Sequence, residues 1–314
     1  MAFVIREHEP LAPHTVFKIG GPADVYVEAA TTDELIRALQ EAKSRDIPWC
    51  ILGAGSNVLV SDAGYRGVVI HPTGGSIRFD GDGVTADAGV TMARVVAESL
   101  RHSLRGFEWA IGVPGTIGGS VRGNAGCFGS EMKDVVRAVH VYDADRGVRE
   151  VWPADRASFG YRESAFKHRP EIVVLSCELA LVPGDRREGE GLVREYTAHR
   201  AKTQDIGSQS AGCIFKNIPW GRPDIVDASV RRRFPNPPPS GTVDGISAGF
   251  LVDQAGLKGY RIGGASISQR HGNFFLNSGG ATAEDVRSLI RIAKDAVREK
   301  FGLTLEEEIQ YVGF

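Results

Sequence analysis

Two glycine-rich stretches carry the most legible chemistry in this chain. Gly53-Ala54-Gly55-Ser56-Asn57 follows an extended run, Trp49 to Leu52, and continues into Val58 and Leu59. Bare backbone N–H groups in such a bend can gather around a phosphate. A Rossmann dinucleotide unit needs a helix directly after its glycines, whereas Val58-Leu59-Val60 and Asp62-Ala63-Gly64 read as extended chain and turn. The plain alternative for so short a motif is a tight strand-to-strand turn. The second stretch contains Gly112, Pro114, Gly115, Thr116, Gly118 and Gly119 and passes through Asn124, Ala125 and Gly126 to Gly129. It is apolar between its glycines, which argues against a disordered linker. Glycine leaves room where a backbone must approach a ligand closely, so this density points to a surface moulded on something broad and flat. A phosphate loop plus a small-residue cradle fits FAD, held non-covalently.

The elements that must position these loops follow from periodicity. Val25 to Glu28, a helix over Asp33 to Arg45 and Trp49 to Leu52 form a β-α-β pattern. In that helix Leu35, Ile36, Leu39 and Ala42 share one face, and Thr32 is read as its cap. From Val68 to Leu181 the pattern is mainly β, with strands expected at 68–70, 84–88, 135–142, 148–152 and 172–181 and one helix near Thr91 to His102. Val286, Leu289, Ile290, Ala293 and Val297 define a long helix between a Thr282 cap and a Gly302 stop. The expected class is α+β with three parts: 1–70, 71–195 and 196–314. Within the last, Pro219 to Gly245 carries Arg231-Arg232-Arg233 and four prolines and reads as an exposed insert.

Composition bounds the rest. With 314 residues, 37 basic against 39 acidic side chains and a formal charge of −2, no global field draws in nucleic acid. No apolar run reaches the length of a membrane span, and no basic-then-apolar leader opens the sequence. Cys50, Cys127, Cys177 and Cys213 lack CxxC spacing, so reduced thiols in a cytoplasmic monomer and no metal site are expected.

Taken together, these segments resemble the UDP-N-acetylenolpyruvoylglucosamine reductases. The resemblance begins at Thr15-Val16-Phe17-Lys18-Ile19-Gly20-Gly21-Pro22 and includes both glycine stretches. It continues through Tyr161-Arg162-Glu163-Ser164, Ser210-Ala211-Gly212-Cys213-Ile214-Phe215-Lys216-Asn217, Ala255-Gly256-Leu257, His271-Gly272-Asn273-Phe274 and Leu305-Glu306-Glu307-Glu308. It implies a two-domain FAD-binding fold of the vanillyl-alcohol-oxidase type plus a C-terminal substrate domain, in the form without the long insertion that carries a substrate-covering tyrosine. The implied reaction passes a hydride from NADPH to FAD and then to the enolpyruvyl ether of a UDP-sugar, in peptidoglycan precursor synthesis.

The resemblance assigns roles residue by residue. Arg162 matches the arginine facing the developing carboxylate charge; the ordinary alternative is a salt bridge with Glu163. Glu308 matches the acid that polarises or protonates the intermediate, with Glu306 the competing assignment. Cys213 stands where the family usually has a proton-donating serine; a thiol, with an ordinary pKa near 8.5, is a competent acid. The alternative is a small buried hydrophobe beside a donor water. Tyr161, Lys216 and Asn217 are candidates for the substrate's diphosphate or sugar. A flavin-dependent sugar or alcohol oxidase and a non-catalytic flavin or nucleotide-sugar binder are the rival readings.

Overall fold

The computed structural model describes residues 4–223, 232–234 and 243–314. They form two compact units. The first takes the chain up to Glu9, Ala23–Ala54 and Tyr65–His199; the second takes Pro10–Pro22, Gly55–Gly64 and the residues from Arg200 onward.

In the first unit a four-stranded sheet has the order Val4–Pro10, Pro22–Ala29, Tyr65–Pro72, Trp49–Ile51. The last three strands run parallel, as the β-α-β pattern requires. The connecting helix, Thr32–Ser44, begins one residue earlier than expected. Its cap is Thr31, whose hydroxyl accepts the Glu34 N–H while the Glu34 carboxylate reaches back to the cap backbone. A five-stranded antiparallel sheet follows, in the order Val148–Pro153, Val136–Asp143, Ile172–Ala180, Gly83–Asp87, Ile77–Asp80. Its register sets Trp152, Val139, Cys177 and Ala86 in one row. All four are buried, in a core shared with helix Met92–Arg101.

Tyr142, Val173 and Leu175 of this sheet join a different core, with Val27, Val68, Ile70 and the buried face of helix Thr32–Ser44. The expected boundary at residue 70 therefore falls inside one unit, because strands on both sides of it share apolar neighbours. Among the helices that were not expected are two that begin in this unit. Ile117–Gly123 lies within the glycine stretch, and Arg186–Thr203 has Gly189 as its one buried residue.

The second unit is built on helix Ala283–Phe301, whose Val286, Leu289, Ile290, Ala293 and Val297 are buried. Thr282 caps it and Gly302, at φ 71°, ends it. Its first N–H groups also meet Asp62: the Ala283 N–H lies 2.9 Å from Oδ1. The helix packs with Phe17, Ile19, Leu59, Phe215 and Phe275, so short pieces of the N-terminal sequence complete a C-terminal core. Strand Val58–Val60 pairs in parallel with Gln310–Val312. The expected insert 219–245 falls largely outside the described residues. At its base Ile218–Pro219 pairs with Gly245–Ile246. Phe234 departs from the exposed-insert reading: it is buried, with its ring edge-on to Phe250 and Phe301. Among the described residues no helix is long and apolar enough to cross a membrane, and no cluster of His, Cys, Asp and Glu could hold a metal.

Candidate active site

The first glycine loop leaves the parallel sheet at Leu52, whose C=O accepts from His71 Nδ1 at 2.6 Å. A Cβ on Gly53 would lie 2.8 Å from Thr116 Oγ1, so a side chain there would crowd the second glycine stretch. Gly55 sits at φ 61°, and its C=O accepts from the Val16 N–H at 3.0 Å. A Cβ at Gly55 would meet the His14 C=O at 2.3 Å, which is rigid backbone, so both conformation and space demand glycine. Ala54 and Ser56 are half-buried beside it. Asn57 donates through Nδ2 to the Glu308 C=O at 3.4 Å, and its own C=O accepts from the Gln310 N–H at 3.0 Å. Val58 and Leu59 then enter the strand paired with the C-terminal residues. The Leu59 side chain belongs wholly to the core, which leaves its backbone alone for any ligand.

The second stretch is folded more tightly than a loop. Thr116 bridges Thr91, and the Gly115 C=O accepts from the Met92 N–H at 3.0 Å. Gly118 donates to the Ala88 C=O at 2.9 Å, and a Cβ on it would sit 3.0 Å from the Ala88 Cβ. Gly112 is buried, while Pro114 and Gly119 are exposed along the same stretch. Ala125 donates to the Ser120 C=O at 2.8 Å. Asn124 was expected against the cofactor, yet its side chain is fully buried within protein. Its Nδ2 donates to Glu131 and, at 2.8 Å, to the Gly160 C=O, while its Oδ1 accepts from the Lys133 N–H. It is a brace for the segment that follows.

That segment is the tight turn Gly160 to Glu163, closed by reciprocal backbone bonds. Arg162 sits in it at φ 56°, a left-handed conformation uncommon for a residue with a Cβ and one concentrated at functional sites. Its Nη2 donates to the Gly126 C=O at 2.8 Å, and its guanidinium lies 5.4 Å from the centre of the Tyr161 ring. Lys167 donates to the Arg162 C=O at 2.5 Å, while Glu163 is paired with His168 at 3.1 Å. The first unit thus gathers Tyr161, Arg162 and Gly126.

The second unit gathers the others. Cys213 pairs antiparallel with Phe274, and Phe215 with Glu307. The Glu308 N–H donates to the Ile214 C=O at 2.8 Å, and the Lys216 N–H to the Glu306 C=O at 2.8 Å. The Cys213 residue is thus paired with Phe274, while Glu308 is bonded to the next residue along, Ile214. The rival acids are engaged elsewhere: Glu306 pairs with Lys216 Nζ at 2.5 Å, and Glu307 with Lys294 and the Tyr311 hydroxyl. Its two donors hold the Glu307 carboxyl below the usual range against the opposing effect of burial. Lys216 is thus tied to an acid, and the Asn217 Oδ1 accepts the Ala248 N–H at 3.0 Å at the start of helix Ala248–Gln254. Both serve the scaffold through the atoms expected to serve the substrate. Asn273 escaped the sequence reading as a functional residue; it is buried and hydrogen-bonded to both backbone groups of Phe215. The motif containing it was the available signal.

The loops fit FAD. In the second stretch a Cβ on Gly119 would meet only Thr116 Oγ1, at 3.7 Å, and one on Gly123 nothing within 4 Å, so these two glycines border open space; the buried Ser120 Oγ of that stretch and, in the second unit, the buried Asn57 Oδ1 make no hydrogen bond among the described residues. Each is available to a ligand's hydroxyl, amide or phosphate.

Fold and site define a flavoprotein with a second α+β unit bearing an acid and a thiol. Residues 23–151 match the model of an FAD binding domain, and residues 204–312 that of the UDP-N-acetylenolpyruvoylglucosamine reductase C-terminal domain. The chain is 38% identical to the UDP-N-acetylenolpyruvoylglucosamine reductase of Alkaliphilus oremlandii, over 97% of this chain and 92% of that one. It is 37% identical to the one from Bacillus subtilis, over 98% and 94%. The crystal structure of the Thermus caldophilus enzyme matches at 33% identity and a TM-score of 0.76, covering 99% of both chains. The chain belongs to the UDP-N-acetylenolpyruvoylglucosamine reductase family.

Proposed function

We propose that this enzyme reduces the enolpyruvyl group of UDP-N-acetylglucosamine enolpyruvate to the lactyl ether of UDP-N-acetylmuramate, in peptidoglycan precursor synthesis, with FAD as its cofactor and NADPH as reductant. When bound, FAD accepts reducing equivalents from NADPH and supplies them to the enolpyruvyl double bond. Residues 53–59 and 112–126 would hold it, through backbone groups and the small side chains described above.

The remaining chemistry belongs to the chain's own residues. Reduction at the methylene carbon drives charge onto the substrate carboxylate, and the Arg162 guanidinium, fixed in its turn by Gly126, offers that carboxylate a planar fork of N–H donors. Cys213 gives its proton to the carbon that bears the ether oxygen. Glu308 polarises the enolate-like species as that proton moves. Tyr161, beside Arg162, is a proposed contact for the sugar diphosphate, and Lys216 and Asn217 would reach it by exchanging their present partners, Glu306 and Ala248. The observation that most supports this division of roles is the bond from the Glu308 N–H to the Ile214 C=O, which sets the acid's segment beside the residue that follows Cys213.

NADPH and UDP-sugars are soluble cytoplasmic metabolites, which supports a cytoplasmic site of action. One chain is the proposed working unit, and the near-balanced charge supports a protein without a nucleic-acid partner. Under anaerobic conditions, NADPH should bleach the flavin spectrum of the purified protein and the UDP-enolpyruvyl sugar should restore it. Bleaching that only oxygen reverses would sink the proposal in favour of an oxidase.

A further inference from the structure

We propose that Asn273 is a positioning residue that holds Cys213 in register with Glu308; this deepens the functional reading above and rests on it. The segment 213–216 changes partners partway along. Cys213 pairs with Phe274, and the Ile214 N–H donates to the Asn273 C=O at 3.0 Å. The C=O of the same Ile214 accepts from Glu308 on the other side at 2.8 Å. In a regular strand the N–H and C=O of one residue point to one neighbour, so the chain bends at Ile214 as it passes from one ladder to the other.

The change of partner strands Phe215. Its neighbours Ile214 and Lys216 bond to the Glu308 and Glu306 backbones, which turns the N–H and C=O of Phe215 away from that strand. On the opposite side Gly272 and Asn273 form a turn and present no strand backbone to Phe215. The Asn273 carboxamide fills the place of the absent peptide group. Oδ1 accepts the Phe215 N–H at 2.8 Å, and Nδ2 donates to the Phe215 C=O at 2.8 Å.

Asn273 is 1% exposed and Phe215 is fully buried, so water does not substitute at this joint. A side chain here must present one donor and one acceptor in a plane at short reach, which asparagine does and aspartate or serine does not. One carboxamide therefore ties together the ladder that carries Cys213 and the ladder that carries Glu308. Asn273 sits behind the strand and acts on the reaction through Cys213.

The test uses the flavin-loaded Asn273→Asp variant, with Asn273→Ala, which removes both bonds without adding charge, wherever the first does not accumulate. NADPH should reduce the variant's flavin at the wild-type rate, while reoxidation by the UDP-enolpyruvyl sugar slows by about tenfold or more. Mass spectrometry after timed iodoacetamide treatment should show Cys213 alkylated faster than in the wild type and Cys177, fully buried in the first unit, still protected. Equal slowing of both half-reactions, or Cys177 labelling that rises together with Cys213, signals general loss of structure and overturns the proposal. An unchanged variant overturns it too. If wild-type reduced flavin is not reoxidised by the sugar, the functional reading fails by itself, and the alkylation rates still report on the joint.

Discussion

Cys213, the proposed proton donor, has three companions of the same kind. None of the four cysteines is in a disulfide. Burial pushes the Cys50 thiol up to about 12 against the smaller effect of its hydrogen bond with Tyr65, and burial raises the Cys177 thiol as well. A thiol reacts as its thiolate, so neither competes for an alkylating reagent near neutral pH. Cys213→Ser should keep turnover within about tenfold of wild type, since an alcohol in the same place still carries a proton, and should resist inactivation by iodoacetamide. Inactivation at the wild-type rate would place the sensitive thiol at Cys127. Arg162 shows a different use of a single residue. Its left-handed backbone is held by bonds from Asn124 to Gly160 and from Lys167 to its own C=O, so strain at one position is supported by neighbours with no part in the chemistry.

Helix Ala283–Phe301 shows how element-scale stability depends on pH. Asp285 accepts N–H groups of Thr282 and Gly264, and those bonds hold its carboxyl below the usual range. A carboxyl depressed in the folded state stabilises it fully above the unfolded value of about 3.9 and ceases to do so as pH falls through the lower, folded value. Asp285→Ala should therefore lower stability by about 1 kcal/mol at pH 7, with the gap from wild type closing below about pH 4. Urea midpoints at pH 7 and pH 3 measure this; an equal gap at both would exclude the carboxylate as the cause. This helix was legible in the sequence because its apolar positions repeat and both its caps are side-chain or glycine signals. Arg186–Thr203 was not, since it buries one glycine and leaves no apolar stripe to read. Ile117–Gly123 was hidden differently: glycines with low helix propensity are held there by burial of Ile117 and Val121. The site divided likewise. Cys213, Arg162 and Glu308 stand in motifs, but the bracing duties of Asn124 and Asn273 run across 36 and 58 residues of sequence, a distance over which no periodicity reports.

For the molecule as a whole, the second unit is discontinuous. Phe17, Ile19 and Leu59 complete its core, and strand Val58–Val60 pairs with Gln310–Val312. A fragment of residues 200–314 lacks Phe17, Ile19 and the whole of strand Val58–Val60, so it should show no cooperative transition in circular-dichroism melts, in contrast to the intact chain. A sharp, reversible melt of the fragment would show that the inserted N-terminal pieces are dispensable.

The pairing of Asn57 with Glu308 joins residues 251 apart. On the ribosome, the flavin loop is made early, but its Asn57 end lacks its partners until translation has passed Glu308 and Gln310, however soon the first unit's sheets assemble. Flavin capture is then a late step in biogenesis, and a nascent chain stalled short of that point presents the loop without the strand that fixes it.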